Sequence, residues 1–484
     1  MTPWATRFAA LLLVAMLAGC LDANEQSVEA RKIGGAIDSL PTILDPALTV
    51  GQDRALLEER VRAREIDVAT DPNNPLHLAA VMMVPYPTQY ELAPYDSMQW
   101  TGIALSDDGG ATWDYEPIRG YPGDTEVGPF PGAWALGDGV LNFQSDGSLL
   151  LGVLPIRYPV IISIGVAEFP WGSREPTFVA EFASGATGID GAHDVPTSQV
   201  GPHVDKEQFT IDPYTGHVYA AYAERWQQSS EARQMFAKST DGGRTWSDPI
   251  PISAPEPHYI GSMQHQMGGW PVVTVDGKMH VMWCDLRSGA FYISDPEGNG
   301  FAAPRLIEKN AGSWLPSVDV DRTGGPEHGT IYASLLDSRN GDRDVYLHVS
   351  RDNGTTWEPS VRVNGDAVGN GMEHRMSELI VEPDGAVSIV YMAEVADTSY
   401  HAYVARSIDG GRTFTEYQVS SEPTSATSMN NQPTFLTHLG DYLGISYNDD
   451  GVVAVWQDGR KSTADTPFSE AWMVELPTRV SPAQ

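Results

Sequence analysis

One string occurs four times in this chain and restricts it to a repetitive architecture: Ser106-Asp107-Asp108-Gly109-Gly110-Ala111-Thr112-Trp113, with copies at residues 239–246, 350–357 and 407–414. Its constant positions are a Ser, an Asp two residues on (Asp108, Asp241, Asp352, Asp409), a Gly two further, and a closing aromatic (Trp113, Trp246, Trp357, Phe414). Such a string makes a tight hairpin turn. Ser and Asp side chains bond the turn's own amides, Gly supplies left-handed backbone, and the ring drops onto the sheet below. The Asp positions lie 133, 111 and 57 residues apart, so the first two gaps each hold one more unit, and a unit takes roughly 55 to 65 residues. Residues 294–301 fill one gap as a degenerate copy, and the other gap has none.

Each unit also opens with a strand-turn-strand. The openings are at Glu65, Gly139, Gln208, Trp270, Leu315, Ser377 and Tyr442, and turn residues follow, as in Asp146-Gly147, Asp276-Gly277, Asp384-Gly385 and Asp450-Gly451. This predicts an all-β fold over residues 64–480, a β-propeller of four-stranded antiparallel blades, seven by this count with six as the alternative. With strands lettered A to D outward, the repeated string is the C–D turn, and the B–C and D–A connections share the opposite face. The last unit stops after a third strand at Trp472, so ring closure requires an outer strand from the N-terminal segment.

The four strings resemble the Asp-box, or BNR, repeat of the sialidase-like β-propellers, with the likeness running from residue 65 to about 478. The resemblance implies that the boxes are structural and that six blades are usual. It also implies that catalytic members hold a sialate carboxylate on three arginines, the first in a Phe-Arg-Ile-Pro segment, beside a Tyr/Glu nucleophile pair and an Asp acid/base. No Phe-Arg-Ile-Pro occurs here, and the corresponding stretch reads Arg62-Ala63-Arg64-Glu65-Ile66. Tyr442, preceded by Asp441, enters the last innermost strand, and these two with Asp96, a carboxylate in the first B–C connection, are the catalytic candidates.

At the N-terminus Arg7 precedes an apolar run over residues 8–19, too short to cross ~30 Å of hydrocarbon as a helix, so residues 1–19 read as a signal peptide. Leu17-Ala18-Gly19-Cys20 resembles the bacterial lipobox. That implies a diacylated Cys20 and export to the cell envelope, at the outer membrane in a Gram-negative cell because Leu21 rather than Asp follows. Residues 20–63 read as a tether and N-terminal segment. Cys284 is then the lone thiol, and its strand-like setting marks it as a buried small hydrophobe. With 64 Asp+Glu against 30 Lys+Arg, the net charge of −34 opposes every phosphate contact and argues against a nucleic-acid partner. The expected partners are a carbohydrate or an envelope protein, with membrane contact through lipid alone. No cofactor and no metal are implied, and a monomer is expected.

Candidate ligand contacts gather on the B–C and D–A face. The B–C connections carry Arg157, Arg225, Arg287, Arg339 and Arg460, whose guanidinium forks match carboxylate, sulfate or phosphate. Asp285, Asp337 and Asp458 each stand two residues before an Arg, so the same spacing allows each Arg to brace its own loop. The D–A connections place His203, His265, His374 and His438 near the channel mouth with Asp205, Glu373, Arg375 and Asp441, as ligand contacts or as loop residues bonded to backbone. Tyr86, Tyr90, Tyr95 and Trp100 in the first B–C connection suit stacking on a pyranose or packing on one another. Three readings stay open: a propeller that binds a glycan or protein, an exo-sialidase-like glycosidase acting on acidic sugars, and a lyase or other metal-assisted enzyme.

Overall fold

The computed structural model describes residues 31–34, 50–58, 61–86, 98–157, 161–183, 203–226, 231–257, 268–285, 288–309, 315–396, 399–425, 440–461 and 469–478. Seven four-stranded antiparallel blades stand in a ring. From the axis outward the first is Arg64–Asp71, Asn74–Pro85, Met98–Ser106 and Asp114–Pro117. The second is Ala133–Phe143, Leu149–Arg157, Ile164–Phe169 and Phe178–Phe182, and the third is His203–Ile211, Val218–Trp226, Glu231–Ser239 and Ile250–Pro251. The fourth is Trp270–Val273, Met279–Asp285, Ala290–Ser294 and Arg305–Glu308, and the fifth is Ser317–Val320, Ile331–Asp337, Asp344–Ser350 and Val361–Arg362. The sixth is His374–Val381, Val387–Ala396, Ser399–Ser407 and Thr413–Gln418. The seventh has Gly444–Tyr447, Gly451–Asp458 and Glu470–Pro477, completed by Arg54–Ala55.

The expected closure is therefore present: Arg54 and Ala55 pair with Met473 and Trp472. Residues 31–34 and 54–55 of the N-terminal segment belong to the sheets, Arg31–Gly34 pairing with the outer strand of the sixth blade. Seven, not six, is the blade number.

Each blade lies between two others, which is why its middle strands are buried on both faces and read as continuous apolar runs rather than alternating ones. Ile331–Asp337, Asp344–Ser350 and Gly451–Asp458 are buried throughout. The cores sit between blades: Val218, Ala220 and Tyr222 pack with Val140, Leu154 and Val166 of the blade before, and Ala221, Phe236 and Ile252 with Val281 and Trp283 of the blade after. Side chains near the axis stitch neighbouring innermost strands. Asp67 Oδ2 accepts from Leu141 N at 2.8 Å, Ser317 Oγ from Leu379 N at 2.9 Å and Asp319 Oδ2 from Val381 N at 2.9 Å.

The four repeated strings are C–D turns that share one Ser/Asp/Gly/Thr bonding pattern, and in the first and third blades the closing Trp adds its indole N–H. In the third blade Ser239 Oγ donates to Asp241 and accepts from Gly243 N, Asp241 accepts from Thr245 N at 2.9 Å and Thr245 Oγ1 at 2.6 Å, and Trp246 Nε1 donates to Gly243 O at 2.9 Å. Those donors hold the Asp241 carboxyl down at about 2, the Thr245 hydroxyl and amide contributing most. The aromatic does not fall on its own sheet alone: Trp246 stacks on Phe182 of the preceding blade at 4.1 Å. Trp246→Ala should therefore loosen an interface between blades. We expect a loss of about 2 to 3 kcal/mol, below the range for a fully buried Trp because this ring is half-buried, read by urea denaturation.

Candidate functional site

The face that carries the B–C and D–A connections meets the channel at the first residues of the innermost strands, and there four blades break register. Bulges fall between Arg64 and Asp67, Gly137 and Val140, Asp205 and Gln208, and Arg375 and Ser377. In each, one non-glycine residue adopts left-handed backbone: Glu65 (φ 51°), Asp138 (φ 50°), Lys206 (φ 56°) and Met376 (φ 49°). Each such residue costs about 1 to 2 kcal/mol of backbone strain, and a bulge re-aims a side chain that regular pleating would send elsewhere. Glycine elsewhere makes room: a Cβ on Gly268 would lie 1.7 Å from Lys206 O.

The bulges bring charge together out of water. Lys206 Nζ lies 2.6 Å from Asp138 Oδ2 and 2.6 Å from Asp441 Oδ2, with the Lys206 side chain 6% exposed. Tyr442 OH donates to Asp138 Oδ2 at 3.2 Å, and the ammonium stands 4.9 Å from the centre of the Tyr442 ring. Burial alone would pull the Lys206 pKa down, but Asp138, Asp441 and the Tyr442 and Asp205 groups outweigh it and hold the ammonium well above its usual range. Burial, with Asp138 next, raises Glu65 to about 8 in spite of Arg64 and Lys206, so Glu65 is a neutral acid at pH 7. The same two causes push Glu207 well up, and neither oxygen of its fully buried carboxyl has a hydrogen-bond partner among the described residues. Tyr442 is pushed up by burial and by Asp138, which keeps the phenol protonated. Beyond the cluster the channel opens into a cavity of about 410 Å³ lined by residues of all seven innermost strands or their flanks, Asp67, Asp319, Glu378 and Tyr442 among them.

Asp441 and Tyr442, two of the catalytic candidates, thus enter one constellation, while Asp96 lies outside the described residues. Of the arginines, Arg157 makes a two-point pair with Glu181 at 2.6 and 2.8 Å. Arg339 is held by its own Asp337, 2.7 Å from Nε, and stacks on Tyr346 at 4.3 Å. Arg460 lies 2.7 Å from both Asp458 and Asp53 with its side chain 6% exposed, and it stacks on Trp472. The Asp-x-Arg repeat is in both instances a brace for its own loop. Arg375 differs: Nε donates to Tyr400 OH at 2.8 Å, and no carboxylate among the described residues pairs with it. Arg287, His265, His438, Tyr90 and Tyr95 lie outside the described residues, as do the side chains of Arg225 and His203. Trp100 is 1% exposed with Nε1 donating to Ile118 O, so it packs inside rather than offering a sugar-stacking face, and Tyr86 bonds Trp134 O.

His374 is buried, with Nδ1 2.8 Å from Arg343 O. It belongs to the one group among the described residues, with Asp344 and Asp366, whose donor atoms approach closely enough to hold a metal. Arg362 already lies 2.7 Å from both carboxylates and Asn364 donates to both, so the oxygens a cation would need are engaged by protein donors.

Glu65, Asp138, Lys206 and Glu207 were not among the site residues expected from sequence. The signal was Asp205-Lys206-Glu207-Gln208, four polar residues at the head of a strand that belongs in the core.

No family model matches the sequence, and no curated protein does. Solved structures similar to this chain include a protein of unknown function from Dyadobacter fermentans at 12% identity (TM-score 0.48; 89% of this chain, 100% of that one). Another is the Hadza microbial sialidase Hz136 at 16% identity (TM-score 0.44; 82% and 73%). A third is an α-L-arabinanase of Penicillium chrysogenum complexed with arabinobiose, at 14% identity (TM-score 0.47; 77% and 99%). Likenesses this remote carry no statement about the chemistry of the present chain.

Proposed function

We propose that this protein is an exported propeller, anchored to the bacterial envelope through an acylated Cys20, that binds a glycan or a protein partner on its B–C and D–A face without turning it over. The observation that carries this reading is the engagement of the candidate machinery. Asp441 and Tyr442 are locked with Lys206 and Asp138, and Arg157, Arg339 and Arg460 each end on a carboxylate of the fold itself. A sialidase-like nucleophile needs an activated phenol or carboxylate beside free arginines, and burial holds the Tyr442 phenol in its protonated form.

The second reading, a glycosidase acting on acidic sugars, is favoured by one feature: Glu65, held neutral up to about pH 8, is the kind of carboxyl that serves as a general acid. The two readings separate in a glycan array and envelope-extract capture with the unlipidated chain. Retention of a neutral or acidic glycan, or of one envelope protein, without release of a cleaved sugar supports binding, and release of free sugar contradicts it.

The anchor has its own test. Cys20→Ser should abolish incorporation of labelled fatty acid and move the protein from the membrane pellet to the soluble fraction, because no lipid would hold it. Unchanged partitioning would remove the anchor from the reading.

A further inference from the structure

A propeller ring has no covalent closure, and here the ordinary closure is slight: the seventh blade receives its outer strand as two residues, Arg54–Ala55, and its innermost strand has four, Gly444–Tyr447. The innermost strands touch in ring order, so the seventh blade has the sixth and the first as neighbours, and the second and third stand beyond the first. Two contacts among the described residues ignore that order. Lys206 of the third blade reaches Asp441 at the entry to the seventh at 2.6 Å, and Tyr442 at the same entry reaches Asp138 of the second at 3.2 Å. Lys206 also bonds Asp138, at 2.6 Å, so one ammonium joins three blades.

The seating of these groups is tight from every side. Gly440 has left-handed backbone, and a Cβ there would lie 2.8 Å from Gln457 Oε1 and 3.2 Å from Glu65 N. The entry to the fourth blade abuts the other flank, where Gly268 meets Lys206 O. The charged or titratable groups that face the ammonium come from four blades: Glu65, which has Arg64 beside it, Asp138, Asp205 and Glu207, and Asp441 with Tyr442.

We infer that Lys206 is a cross-channel clasp, a second closure of the ring that ties the entry of the seventh blade to the second and third blades across the first. A buried ion pair of this kind is poor at adding net stability but severe when broken, because the charge left behind has no water to turn to. Its use is then to make opening cooperative. The seventh blade cannot leave the first while the clasp is intact, so the weak outer strand is not the point at which the ring comes apart.

Hydrogen exchange on the full chain tests this, comparing wild type with Asp441→Asn, which removes the charge that holds the ammonium across the channel, and Asp138→Asn, which removes the charge that holds it to the adjacent blade while leaving an amide oxygen to accept from Tyr442 OH. Asp441→Asn is expected to speed exchange in Gly444–Tyr447 and Gly451–Asp458 by on the order of a hundredfold, well beyond its effect on Asp344–Ser350 of the fifth blade. Asp138→Asn is expected to act chiefly on the second and third blades. Equal acceleration in all blades, or no change in the seventh, overturns the clasp. Should Asp441→Asn fail to fold, wild type in rising urea gives the same answer: Gly444–Tyr447 and His203–Ile211 should lose protection through one shared opening, and separate openings for the two strands refute it.

Discussion

Lys206→Met is expected to destabilise the protein by about 3 to 5 kcal/mol, the range for removing one partner from a buried ion cluster. The methionine keeps the length and most of the packing of the lysine stem but leaves the Asp138 and Asp441 carboxylates facing each other with no cation between them. In a domain of this size that corresponds to a fall in Tm of roughly 3 to 6 °C. The diagnostic variant is the triple change Lys206→Met with Asp138→Asn and Asp441→Asn, which buries no unpaired charge. It should recover most of the loss, because the penalty lies in the orphaned carboxylates and not in the missing attraction. Calorimetry of the two variants decides it: a triple variant as unstable as the single one would mean that Lys206 acts through packing.

The second large effect is a fall in stability with rising pH. Glu65 is raised by burial and by Asp138 from an unfolded value of 4.5 to about 8, so its contribution is complete below about pH 4.5 and is lost as the pH rises through about 8. Asp67, raised by burial to about 7 against the opposing amides of Leu141 and Val68, acts the same way between about 3.8 and 7. The turn aspartates oppose them at the acid end. Asp241 and Asp276 are held at about 2 by hydroxyl, amide and lysine donors, so their contribution is present above 3.8 and lost as the pH falls through 2. Thermal stability should therefore peak at about pH 4 to 5 and decline towards pH 9. Glu65→Gln should flatten the alkaline limb, by on the order of a few kcal/mol, with little effect below pH 4.5. A Glu65→Gln profile parallel to that of wild type from pH 4 to 9 would show that this carboxyl is not the group that titrates.

The elements of the fold that repeat were legible in the sequence, because each is decided locally. Ser239, Asp241, Gly243 and Trp246 specify their turn within eight residues, and the strand openings at Gln208 or Ser377 are set by apolar patterning and the turn that follows. Even the missing outer strand of the seventh blade could be expected, since a three-stranded remnant after Trp472 leaves an edge to be filled. The spacing Asp337-x-Arg339 was also local, yet it did not decide whether the guanidinium served a ligand or its own loop. That depends on where Tyr346 and Ser360 stand, and they provide the stacking face and the further acceptor that hold the Arg in place. The central cluster was beyond reach for a different reason. Asp138, Lys206 and Asp441 meet only when the ring closes, and the bulges at Glu65, Asp138 and Lys206 shift the register of each strand so that the period-two rule assigns these side chains to the wrong face. Polar residues at the head of a core strand were visible, but what they faced was not.

Whether the face binds or also cleaves is decided most directly by turnover of a fluorogenic sialoside by the purified, unlipidated chain between pH 4 and 9, beside the Tyr442→Phe variant. The arrangement of Tyr442, Asp138 and Lys206 predicts release no faster than the buffer blank at any pH, for both proteins. A wild-type rate above the blank that Tyr442→Phe abolishes would contradict it and make Tyr442 the nucleophile of a working glycosidase.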